Sequence, residues 1–148
     1  MASPPTQRTG RILGPQARRI GVTSFGLVIA LIIQFVLGLS YNLYGTMPTA
    51  NRKIGILSSP LIAIHVIVGT LLVVGATSLV VRAVRSRIQL AVATSATGGL
   101  ALIAAWVGGA EFTQSGGSGY SLVMGLMTAV ALLCYSVNVK VFGGGGSE

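Results

Sequence analysis

Four long stretches of this chain carry no charge, and that absence constrains the fold more than any motif does. No Asp, Glu, Lys or Arg lies between Arg19 and Arg52, between Lys53 and Arg82, between Arg87 and Glu111, or between Glu111 and Lys140. Each gap holds the roughly 20 apolar residues that cross a hydrocarbon core as a helix. Lipid offers the backbone no hydrogen-bond partners, so even segments rich in Val, Ile and Thr must close their bonds internally as helices. The expected fold is therefore all-α: an antiparallel bundle of four transmembrane helices at about 21–43, 60–81, 89–110 and 120–141, with both termini inside. The membrane domain covers 20–142, between a disordered basic cytoplasmic tail at 1–19 and a flexible Gly-rich tail at 143–148.

Composition excludes an ordinary soluble domain. Only 8% of the residues are charged and 52% are hydrophobic, with a mean hydropathy of +0.82; soluble domains are about 25% charged. The net charge of +8 would suggest nucleic acid in a soluble protein. Here the ten Lys and Arg sit at the edges of the spans, where they set topology and meet anionic headgroups. The bilayer is the expected partner, and nucleic acid is not. Four, three and one basic residues fall in the N-terminal tail, the second connection and the C-terminal end, against two and none in the other connections. That imbalance puts both termini in the cytoplasm. Cys134 is the only cysteine, so no intrachain disulfide can form.

Along the chain, Arg18-Arg19 before an apolar run could open a signal peptide, but the run is too long for one and no cleavage site follows. A retained first helix is expected, with Ala30, Gln34, Gly38 and Tyr41 on one stripe. A mid-membrane amide is costly unless bonded, so Gln34 should face another helix. A short interfacial helix is weakly signalled near Lys53 to Leu57. Ser58-Ser59-Pro60 then reads as a cap and first turn for the second helix. The basic turn Arg82–Arg87 should join helices two and three as a hairpin.

The third run, Ile88 to Ala110, places Thr94, Gly98, Ala101, Ala105 and Gly108 on one face, with Glu111 read as continuing that stripe. Small side chains let helices approach closely, so this helix is expected at the centre of the packing. Phe112 to Gly119 reads as a flexible loop. The Gly-rich C-terminal segment reads as a flexible tail or a linker remnant.

Chemistry-bearing residues are few. There is no HExxH, no phosphate-binding Gly-rich loop, no Cys/His cluster and no G-x-S-x-G, so neither catalytic nor metal-ligating residues are assigned and no enzyme is expected. One constellation remains. With the topology above, His65 and Glu111 fall in the same leaflet beside Tyr41, Asn42, Trp106 and the deeper Gln34. Intramembrane ionisable groups mark functional sites by default. The functional reading is a polar pocket for a proton, a quinone head group or a haem iron. The plainer one is a structural hydrogen bond from His65, with Glu111 among the headgroups. Membrane b-haems ordinarily take two histidines, and this chain offers His65 alone with Met124 or Met127, so no cofactor is expected and haem b stands only as a remote alternative.

Through Tyr41-Asn42-Leu43-Tyr44, His65-x-x-x-Gly69 and Gly109-Ala110-Glu111-Phe112, the chain resembles small uncharacterised four-helix bacterial membrane proteins over roughly Ser40 to Val139. The resemblance implies an architecture and a bacterial inner (plasma) membrane, and it brings no activity. A looser similarity to cytochrome b561-like bundles stops at the helix count. The leading expectation is an accessory or scaffold subunit acting through helix–helix contacts, with itself or within a larger membrane complex. Electron or proton handling at the His65/Glu111 pocket is the second reading, and a small transporter or pore lined by Gln34, Thr70 and Glu111 the third.

Overall fold

The computed structural model describes residues 14–45, 55 and 58–144. Four α-helices account for nearly all of them: α1 (Pro15–Tyr44), α2 (Pro60–Ser86), α3 (Gln89–Ser115) and α4 (Ser118–Phe142). All four are long and apolar enough to cross a membrane. Each packs against two neighbours, in a closed ring α1–α2–α3–α4–α1, with the closest seam between α3 and α4. Short turns after α2 and α3 force antiparallel neighbours.

Every helix runs past the predicted span because it continues until the backbone is stopped, rather than until the apolar residues end. Pro15 opens α1 at the position where a missing N–H is harmless, so Pro15–Arg19 is helix where a disordered tail was expected. At α2 the expected cap is present: Ser59 Oγ accepts from the Leu61 N–H at 3.2 Å, with Pro60 in the first turn. Helix α2 ends at Arg87 in the left-handed region (φ 56°), and Ser86 steadies the turn by donating to the Ala83 carbonyl at 2.7 Å. Helix α3 absorbs Phe112–Ser115 from the expected flexible loop and stops at Gly116 (φ 68°), a conformation that costs glycine little. Only Gly116 and Gly117 connect it to α4. Residues 1–13, the interfacial helix suggested near Lys53 and residues 145–148 lie outside the described residues.

The exterior is apolar, as lipid requires: Leu43, Leu100, Leu122 and Leu133 are each about 70% exposed. The interior combines Leu27, Leu31, Leu72, Leu79 and Leu102 with Ala76, Ala83, Ala91, Ala101 and Ala131 around Tyr135. The ring has no central helix, which corrects the expectation for α3: its small face serves one seam, against α4. Gly98 lies directly under the Tyr135 ring, where an added Cβ would sit 2.8 Å from Cε1. One turn away, the buried Asn138 donates to Ser95 Oγ at 3.2 Å and meets Thr94 Oγ1. The apparent continuation to Glu111 also fails on periodicity. At 3.6 residues per turn the series 94, 98, 101, 105, 108 steps next by four, to Phe112. Phe112 is the buried residue and Glu111 is exposed.

The two ends of the ring differ sharply. All six described basic residues, Arg18, Arg19, Arg82, Arg85, Arg87 and Lys140, sit at the end shared by the α1 and α3 N-termini and the α2 and α4 C-termini. The opposite end holds Glu111 and the candidate site.

Candidate functional site

Opposite the basic end, the four helices enclose a cavity of about 490 Å³. Every helix contributes to its wall, which is mainly apolar: Leu31 and Phe35 from α1, Ile62 and Leu72 from α2, Leu102 and Phe112 from α3, Met124 from α4. Small residues on all four helices contribute to the space. Gly38, Gly69, Ala105, Gly109 and Gly125 line it where larger side chains would have met.

Gln34 and His65 form the polar centre of this wall. The Gln34 Nε2 amide donates one hydrogen to the His65 carbonyl at 3.0 Å and the other to His65 Nε2 at 3.1 Å. Because the amide nitrogen donates, the ring accepts at Nε2 and carries its proton on Nδ1. Each partner also lies across a glycine of the opposing helix. A Cβ on Gly69 would come within 2.9 Å of Gln34 Nε2, and one on Gly38 within 3.0 Å of His65 Cε1. Gln34-x-x-x-Gly38 on α1 and His65-x-x-x-Gly69 on α2 are thus reciprocal, each glycine making room for the other helix's polar group. One acceptor and one donor are left over: Gln34 Oε1 and His65 Nδ1 are buried without a partner.

Of the six pocket residues read from the sequence, five line this cavity: Gln34, Tyr41, Asn42, His65 and Trp106. Glu111 does not; it is exposed and points off the face that carries Gly109, Phe112 and Thr113. His65 therefore pairs with Gln34 rather than with a carboxylate. Trp106, half exposed, is more than an interfacial anchor: its Nε1 donates to Thr70 Oγ1 at 3.4 Å, tying α3 to α2 at the cavity wall. Met124 reaches the cavity and packs on Gly109, with its sulfur 3.2 Å from where a Cβ would be. Gln34 holds His65 Nε2 in this geometry, which leaves Nδ1 as the unshared ring nitrogen. No group of three or more His, Cys, Asp or Glu able to hold a metal occurs among the described residues.

The packing stripe Thr94, Gly98, Ala101, Ala105 and Gly108 lies inside the bundle. Gly98 and Gly108 abut α4, Thr94 meets Asn138, Ala101 is buried in the core and Ala105 borders the cavity. Sequence reasoning set Gly38 on the Gln34 stripe and quoted Gly69 with His65 but gave neither a place in the pocket, although both stand four residues after a polar residue in an otherwise apolar run.

Fold and site together define a four-helix bundle of membrane-spanning type with an apolar, all-helix cavity and one polar pair on its wall. No protein-family model, curated protein or solved structure matches the chain.

Proposed function

We propose that this protein binds a small amphipathic molecule taken from the bilayer, of the quinone/quinol class, with the ring in the cavity against the Gln34–His65 pair. One observation carries the reading: a cavity of about 490 Å³ whose apolar wall holds a hydrogen-bonded pair with one unused acceptor and one unused donor. Largely apolar pockets with a few convergent polar groups are the usual form of small-molecule sites. A quinone carbonyl accepts from an imidazole N–H, and a quinol hydroxyl donates to an amide oxygen. Size supports occupancy as well: about 490 Å³ falls within the range of small-molecule pockets, roughly 300–1,000 Å³.

The scaffold reading draws less support, because the small residues that would have met a partner helix are used up within the bundle. We take the arginine-rich end as cytoplasmic under the positive-inside rule, so that the proposed site opens in the opposite leaflet.

Trp106 provides the assay, being the chain's only tryptophan and a cavity wall residue. A short-chain ubiquinone analogue titrated into the protein in mild detergent should quench its fluorescence saturably. The Gln34→Met/His65→Leu variant should need at least tenfold more. Linear quenching, identical in the two proteins, would refute the proposal.

A further inference from the structure

At the other end of the bundle, Arg18 and Arg19 of α1 and Arg82 of α2 converge on a cleft of about 720 Å³ that also includes Gly14, Val22 and Thr23. Three guanidinium groups at one site call for an anion, and none lies near them among the described residues. The only described carboxylate, Glu111, lies at the far end of the bundle, and none of the three arginines has an ion-pair partner among the described residues. The N-terminus of α1 adds to the positive field, since Gly14 caps it without any side-chain hydrogen bond.

The surface below the cleft indicates which anion. Arg18, Val22, Phe25 and Ile29 follow one another at helical spacing on a single face of α1. Val22 is 62% exposed, Phe25 56% and Ile29 44%, so an apolar rail descends from the charged cleft along the lipid-facing side. A free phosphate would use the head of this arrangement and ignore the rail; a phospholipid uses both. Guanidinium groups grip phosphate oxygens in paired hydrogen bonds, which favours a specific seat over diffuse attraction.

We propose that the Arg18/Arg19/Arg82 cleft is a binding site for the phosphodiester headgroup of an anionic phospholipid, with an acyl chain lying along Val22, Phe25 and Ile29. The site is independent of the cavity at the other end and of its ligand.

Native mass spectrometry of the full chain tests it, on protein reconstituted in equimolar phosphatidylglycerol and phosphatidylcholine and released from the bilayer. Phosphatidylglycerol should be retained in preference. Arg18→Gln/Arg82→Gln should weaken that retention by at least about tenfold, because each change removes a charge-assisted hydrogen-bonding group from the seat. Arg85→Gln/Arg87→Gln removes the same charge outside the cleft and should leave retention within twofold. Circular dichroism checks that both variants stay helical; these arginines are exposed and bear no packing. The proposal is overturned if both double variants lose lipid equally, which would mean diffuse attraction, or if phosphatidylcholine is retained as well. Displacement of the lipid by millimolar inorganic phosphate would overturn it too, by showing that the site takes the free anion.

Discussion

Replacing Gln34 and His65 singly and together measures the polar centre of the cavity directly. In Gln34→Met the chain length is kept while both donated bonds, at 3.0 and 3.1 Å, are lost. The His65 carbonyl keeps its helix bond, but Nε2 becomes a buried acceptor without a donor, and such stranding costs about 1–3 kcal/mol. His65→Leu removes only the ring acceptor. Gln34 retains its bond to the backbone carbonyl and strands one N–H, for a cost of about 1 kcal/mol. The double variant leaves neither partner stranded, and apolar groups face an apolar wall, so it should be more stable than Gln34→Met alone. The expected coupling is about 1–2 kcal/mol, the upper part of the range for interhelical hydrogen bonds in membranes. Equilibrium unfolding in mixed micelles with increasing dodecyl sulfate, followed by far-UV circular dichroism, gives the four free energies. If the single effects add within about 0.5 kcal/mol, the two side chains do not act as a pair and the site's geometry is wrong.

Two further outcomes follow from the α3–α4 seam, with the same unfolding measurement as the check. Gly98→Ala forces a methyl against the fully buried Tyr135 ring, while Gly125→Ala meets nothing within 4 Å; helix propensity cancels between them, so the first should be less stable than the second by about 1–3 kcal/mol of overpacking. Asn138→Leu takes a donor from the buried Ser95 and a partner from Thr94, and should cost about 1–3 kcal/mol; Thr94 can fall back on the Leu90 carbonyl at 2.8 Å, so Thr94→Val should cost less.

Charge gaps made the helices legible, because a bilayer leaves an uncharged apolar run of this length almost no alternative. The ends were less legible. Composition marks where lipid begins, whereas a helix ends where a Gly, a Pro or a left-handed residue stops it, as at Pro15 and Gly116. The site was legible as a set of residue types and not as a set of pairs. Gln34 lies ten residues before the end of α1 and His65 five after the start of α2, about 15 and 7.5 Å in at 1.5 Å per residue. Had those ends been level, the two groups would miss each other by more than a helical turn. They meet because α1 overshoots the start of α2, an offset that no periodicity carries. Glu111 was different. Its exclusion follows from counting 3.6 residues per turn on to Phe112, and its charge drew attention from that count.

Close packing and empty space are divided between the two halves of this bundle, and the division follows from what the small residues face. In the basic half small meets large: Gly98 takes the Tyr135 ring, and Gly21 lies so close to the α4 C-terminus that a Cβ would come within 2.6 Å of the Phe142 carbonyl carbon. Asn138 then ties α4 to Ser95 and Thr94 near the basic end of the α3–α4 seam. In the other half Gly38 and Gly69 take the polar side chains of His65 and Gln34, and Gly109 takes the Met124 sulfur. Gly38, Gly69, Ala105 and Gly109 surround the cavity, and the groups crossing it, Gln34 and His65, bond to one another rather than filling it. A helix pair held rigidly at one end and spaced by small residues at the other can keep an opening without losing its fold. Membrane packing gives small residues a close-contact role by default. Here the same residue types serve both purposes, and what decides between contact and cavity is the residue on the opposite helix.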